Sequence, residues 1–158
     1  MNNAGRIDPW SSEQSTDYAR IIDQFGLSSV DSDILPEPGM LHRRGVVFAH
    51  RDLDIVLDRI HRSASFGVLT GLMPSGKMHL GHSMVIEQVR WFQEHGADVT
   101  VAVADLEALA TRETSLSLGR ETAIREYVHN YAALGLDPEK TNVYFQSSRP
   151  VVQKLAFT

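Results

Sequence analysis

His79 and His82 stand three residues apart in the string Pro74-Ser75-Gly76-Lys77-Met78-His79-Leu80-Gly81-His82. Two imidazoles at that spacing can both donate hydrogen bonds to phosphate oxygens. The residues ahead of them, Thr70-Gly71-Leu72-Met73-Pro74-Ser75-Gly76, supply glycines and a proline for a tight bend. Gly81, between the histidines, removes a side chain where a flat base or a ribose approaches. If a helix opens at this bend, its free amides and its dipole favour phosphate as well. Either histidine alone reads equally well as a helix cap or a surface residue, and a glycine-rich turn alone is weak evidence. The weight lies in the whole string and in the elements around it.

Those elements alternate. Residues 66–71 form a short apolar run ending in glycine, and residues 99–104 form another, of the near-continuous kind found in strands covered on both faces. Between them the spacing predicts a helix over 83–95, with Val85, Val89 and Phe92 as its apolar stripe and Gly96 as its stop. A second helix is expected over 119–134, closed by Gly135, and a third strand over 142–146. Strand, helix, strand repeated in this way implies an α/β fold with a parallel sheet and right-handed crossovers. The turn after the first strand is where such a sheet offers a ligand site. Gln146, at the end of the third strand, is placed for a ligand contact and equally reads as a loop polar residue.

Upstream the texture is helical and irregular. Residues 1–15 are polar and read as an arm anchored by Trp10. A helix is expected over 17–25, where Tyr18, Ile21, Ile22 and Phe25 share a face and Gly26 comes next. Residues 28–44 have no period and read as a connector. A further helix over 52–61 carries Leu53, Val56, Leu57 and Ile60, with Asp52 as its cap. The chain therefore divides into an N-terminal extension, 1–65, and part of a nucleotide-binding domain, 66–158.

Composition narrows the function classes. The chain has 158 residues and no cysteine, which removes disulfides, thiolate metal sites and thiol nucleophiles. A formal net charge of −5 and a pI near 5.8 argue against a protein that coats nucleic acid through counterion release, although local basic clusters can still touch RNA. No apolar run is long enough to cross a bilayer and the start has no signal-peptide character, so a cytoplasmic protein without a membrane partner is expected.

The string 74–82 resembles the His-x-Gly-His signature of class I aminoacyl-tRNA synthetases, in the version found in the tyrosyl/tryptophanyl branch. Ala104-Asp105-Leu106-Glu107-Ala108 is similar to a second-strand segment of the same branch. Asp8-Pro9-Trp10, Asp17-Tyr18 with Phe25-Gly26, Arg43-Arg44-Gly45-Val46-Val47-Phe48 and His50-Arg51-Asp52 resemble the N-terminal extension of archaeal tryptophanyl enzymes. Leu134-Gly135-Leu136-Asp137 and Tyr144-Phe145-Gln146-Ser147-Ser148 resemble the segments that come after their second helix. The likeness spans nearly the whole chain. It implies a Rossmann-like catalytic domain, here incomplete, with flanking helices, and an aminoacyl-tRNA ligase that activates tryptophan with ATP and passes it to tRNA(Trp). It implies ATP as substrate with Mg2+ carried on it, and a homodimer in the complete enzyme. His79 and His82 become the catalytic donors, and Gly71, Ser75, Gly76, His79, Gly81 and His82 the ATP-binding set. Gly71, Asp105 and Gln146 become the amino-acid side, with Asp105 accepting from the substrate ammonium. An aspartate after an apolar strand reads just as well as a helix cap.

Other candidates carry less. Glu107 near Asp105 lacks a third ligand, and His42, His50, His61, His95 and His129 show no zinc spacing, so no metal site is expected. Tyr127 and Tyr131, four apart, read as a buried helix stripe. Arg43 and Arg44 read as a solvated pair.

Two departures from the family bear on specificity and completeness. Where many relatives have a tyrosine before Thr70-Gly71 this chain has Leu69, which disfavours the tyrosyl alternative and leaves the reader of the indole N–H unassigned. The Lys-Met-Ser-Lys-Ser-type loop does not occur, and Lys77, Lys140 and Lys154 are the only lysines, so a truncated chain is expected. The remaining alternatives are a small His-x-Gly-His nucleotidyltransferase and a non-catalytic synthetase-like fragment.

Overall fold

The computed structural model describes residues 17–112 and 115–155. The chain divides into two compact units, Met1–Asp58 and Arg59–Thr158. The arm expected over residues 1–15, with Trp10, lies outside the described residues.

In the first unit, α1 (Tyr18–Phe25) begins where the Asp17 carboxylate accepts from the Arg20 amide and ends at Gly26, which takes the left-handed conformation at φ 58°. Tyr18 stacks on Phe48 at 4.4 Å between ring centroids. The Arg51 guanidinium donates to the Phe25 carbonyl. The stretch expected to be a plain connector contains β1 (Ser28–Ser29), a 3-10 turn (Ser32–Ile34) and α2 (Met40–Arg43). β1 pairs antiparallel with β2 (Ala49–His50). Elements this short leave no period in a sequence. Next comes α3 (Leu53–His61). Its first amide donates to Nδ1 of His50 rather than to the expected cap Asp52, which sits at φ 58°.

The second unit carries the predicted alternation. β3 (Phe66–Leu72), α4 (Leu80–Glu94), β4 (Ala97–Val103) and α5 (Asp105–Thr111) lead into α6 (Leu116–Thr122), a π-helical turn (Ala123–Val128) and α7 (His129–Ala133). A 3-10 turn (Pro138–Lys140) precedes β5 (Thr141–Phe145), and another (Gln146–Ser148) precedes α8 (Pro150–Leu155). The three strands form a parallel sheet in the order β3-β4-β5. Register aligns Leu72 with Val103 and Val103 with Phe145, so the strands end in one row.

One face of this sheet is packed. Val99 and Val101 join Ile86, Val89, Tyr127, Tyr131 and Leu136 in the core, with Val68, Leu72 and Val143 against them. Burying each aliphatic of that size contributes about 1.5–3 kcal/mol. The stripe of α4 differs from the expected one. Val85 is exposed, and the buried positions are Ile86, Val89, Trp91 and Gln93. Gln93 escapes notice because it is polar, yet it is satisfied. Its Nε2 donates to the Asp137 carbonyl and the Thr141 hydroxyl, and its Oε1 accepts from the Asp137 amide at 2.7 Å. These bonds pin the end of α4 to the entry of β5.

The other face is partly open. Gly67, Leu69 and Gly71 on β3, Asp98 on β4 and Asn142 on β5 are exposed, Leu69 to 71%. β4 is covered on both faces only towards its carboxyl end, where Val101, Ala102 and Val103 are all buried. The expectation of a strand buried on both sides holds for that end alone.

Candidate nucleotide-binding site

The string 74–82 leaves the sheet at the carboxyl end of its edge strand. The Ala104 amide donates to the Leu72 carbonyl, holding the last residue of β3 to the chain just past the neighbouring strand. Pro74 is buried, and Gly76 turns the chain at φ 151°, a conformation other residues rarely adopt. His79, in extended conformation, caps α4, and the His82 amide donates to its carbonyl at 2.9 Å.

The two imidazoles meet. Their centroids are 4.0 Å apart, and Nδ1 of His82 accepts from the His79 amide at 3.3 Å. With Nδ1 committed as acceptor, a neutral His82 carries its proton on Nε2, where it can donate. Burial, with a smaller contribution from the neighbouring His79, holds the His82 pKa below the usual histidine value. The ring is therefore neutral at pH 7.

A Cβ at Gly81 would meet Cε1 and Nδ1 of His79 at 3.2 and 3.3 Å, so the glycine makes room for the first imidazole. Gly71 lies in β3, where a Cβ would find only ordinary contact with the Ala102 carbonyl. Ser75 and Gly76 are exposed on the bend. A hollow of about 300 Å3, walled by Met78, His79, Leu80, Ser83, Asn130 and Leu134, lies beside His79.

The structure brings Asp105 and Gln146 to the same edge of the sheet, just past the ends of β4 and β5. Asp105 is 1% exposed, and its carboxylate is taken by its own chain. One oxygen accepts from the Ser147 amide at 3.0 Å, and the other from the Ser147 hydroxyl. The Arg120 guanidinium lies 3.6 Å from that second oxygen. Arg120 also donates to the hydroxyls of Ser147 and Ser148 and sits over the Phe145 ring. This buried carboxylate ties the ends of β4, β5 and α6 together. Gln146 is flanked on both sides by residues Arg120 holds.

Three side chains make contacts at the site that the sequence does not report, with Asp105 or His82: Arg120, Ser147 and Tyr127. Their partners are 15 residues away or more, so no local pattern reports them. Tyr127 and Tyr131 are buried as their spacing predicts, each 2% exposed. Among the described residues no three His, Asp or Glu side chains converge as a metal site, and no helix is long and apolar enough to cross a membrane.

Comparison with known proteins agrees with this geometry. A family model described as tRNA synthetases class I (W and Y) matches residues 61–157. The tryptophan–tRNA ligase of Aeropyrum pernix is 44% identical over 157 residues, covering 92% of this chain and 41% of its own length. That of Methanosarcina acetivorans is 42% identical over 154 residues, covering 96% of this chain and 35% of its own. The crystal structure of the tryptophanyl-tRNA synthetase from Aeropyrum pernix superposes with a TM-score of 0.79 at 40% identity, over 95% of this chain and 44% of that one. A tryptophanyl-tRNA synthetase from Encephalitozoon cuniculi, bound to tryptophan, gives 0.73 at 30% identity, over 84% of this chain and 42% of that one. The chain thus spans less than half the length of these relatives.

Proposed function

This chain belongs to the class I tRNA synthetases of the tryptophan and tyrosine type, and from that membership we propose that it is the N-terminal portion of a tryptophan–tRNA ligase. The observation that carries the reading is the pair of imidazoles at the amino end of the 15-residue helix α4, past the end of an edge strand. Imidazole N–H donors on a positive helix end suit the phosphates of ATP. The reaction is attack of the tryptophan carboxylate on the α-phosphorus. Its P–O bond to pyrophosphate breaks, leaving tryptophanyl-adenylate, and a terminal hydroxyl of tRNA(Trp) then takes the tryptophanyl group and releases AMP.

In this reading His79 and His82 donate to phosphate oxygens as charge develops on them. Gly71, Ser75, Gly76 and Gly81 let the chain approach the nucleotide. Gly71 and Gln146 face the amino acid, while Asp105 acts by holding Ser147 and so fixing Gln146. Mg2+ arrives on the triphosphate and neutralises part of its charge. Residues 1–65 serve as the N-terminal extension, and 66–158 as half of the catalytic domain. The complete enzyme works as a homodimer in the cytoplasm. Leu69 favours tryptophan over tyrosine, because a leucine cannot answer a substrate hydroxyl.

The test is ATP–pyrophosphate exchange by the complete protein that contains these residues. Exchange that depends on tryptophan and not on tyrosine is expected. Exchange with tyrosine alone would reassign the substrate.

A further inference from the structure

The helical span that packs against α4 is not uniform. Residues Ala123–Val128 form a π turn between α6 and α7. Such turns are rare, and they concentrate at functional sites because they re-aim side chains. Here the effect is visible in burial. Ala123, Tyr127 and Tyr131 are 0%, 2% and 2% exposed, a spacing of four in both steps. In an α-helix of ~3.6 residues per turn, positions four apart drift by about 40° per step. A wider turn at the first step turns the helix back, so Ala123 stays in line with Tyr127 and Tyr131, whose own spacing of four already shares a face.

That face meets the second histidine. The Tyr127 ring lies 5.3 Å from His82, centroid to centroid, at an interplanar angle of 89°. The Tyr127 and Tyr131 rings are themselves edge-on at 6.4 Å. Both phenol hydroxyls are buried without a hydrogen-bond partner among the described residues. An unpaired buried hydroxyl is a cost, so packing of the ring, rather than a bond from its oxygen, is what favours Tyr127 here.

We propose that Tyr127, aimed by the π turn Ala123–Val128, is a positioning residue for His82: its ring holds the imidazole in the orientation that keeps Nδ1 on the His79 amide and Nε2 free for phosphate. Two contacts then fix the His82 ring, the amide bond on one nitrogen and the Tyr127 ring against it. The lowered pKa of His82 is consistent with this wall, since burial is its first cause. His79 and Tyr131 are the other titratable groups in this ring cluster. Burial, and then Tyr127, pushes the Tyr131 phenol up, so it stays uncharged.

The functional consequence rests on the ATP reading above, whereas the geometry can be tested without ATP. In the 158-residue chain, 15N imidazole NMR reads the tautomer and pKa of His82. Tyr127→Leu is expected to raise that pKa toward the ordinary histidine value and to mix the tautomers. Tyr127→Phe, which keeps the ring, is expected to restore both. Leu57→Ala lowers stability from α3, in the first unit, and is expected to leave the His82 signals as they are. ATP affinity of Tyr127→Leu should fall roughly two- to tenfold, the effect of freeing one immobilised side chain. In the unsubstituted chain, His82 ring protons should show ring-current shifts and cross-peaks to Tyr127. Absence of those cross-peaks, or an unchanged His82 tautomer and pKa in folded Tyr127→Leu, would overturn the proposal. Lack of ATP binding by the unsubstituted chain with the NMR pattern intact would instead sink the ATP reading and leave the positioning of His82 standing.

Discussion

At the residue scale, His82 is neutral by environment, and its protonation is linked to stability. Its folded pKa lies below the unfolded value. Between the two, the unfolded chain binds more protons, so stability rises with pH across that window and falls as pH drops through the unfolded value toward the folded one. The urea midpoint should therefore fall on acidification from pH 7.5 to 5.5, and His82→Gln should lose less over the same range. An identical loss in both proteins would mean that His82 contributes nothing to the acid sensitivity. The residue types and spacing on which the phosphate reading rests were legible in the sequence, because a histidine pair around a glycine is a local pattern. The room that Gly81 leaves for the His79 ring was not, since it depends on where that ring folds back. Nor was the fate of Asp105, whose partners Arg120 and Ser147 lie 15 and 42 residues along the chain.

At the element scale, the helix ends and strand cores came from caps, glycines and apolar runs. Asp17 and Gly26 bound α1, and Gly96 and Gly135 stop α4 and α7 with positive φ. Three features escaped local patterning. β1, β2 and α2 are too short to show a period. Gln93 occupies a buried helix position as a polar residue. The π turn has no composition of its own. The link between α6 and the ends of β4 and β5 makes a prediction at this scale. Arg120→Leu leaves the fully buried Asp105 carboxylate without its cation, and should lower unfolding free energy by roughly 2 kcal/mol, below the full cost of an orphaned buried charge because Arg120 is half exposed. Urea unfolding measures this. Adding Asp105→Asn to Arg120→Leu should recover part of the loss, and strictly additive losses would show that the two side chains do not act as a pair.

At the scale of the whole molecule, the second unit presents a parallel sheet packed on one face and partly open on the other, with the histidine turn at its edge strand. The acidic balance of the chain gives little nonspecific attraction to RNA, so the proposed ligase reading requires its tRNA contacts to be specific ones. The alternation of strands and helices was legible because apolar runs, an amphipathic stripe and closing glycines follow one another, whereas the open face was not, since its exposed Leu69 and the half-buried Val68 of the packed face are both apolar. What unites the scales is the claim that the turn from β3 into α4 grips the phosphates of ATP. Calorimetric titration of the 158-residue chain with ATP tests it most directly, against a His79→Ala/His82→Ala variant with the same circular dichroism. Losing two donors to charged oxygens should weaken binding by at least about tenfold. Equal affinity in the two folded proteins would contradict it.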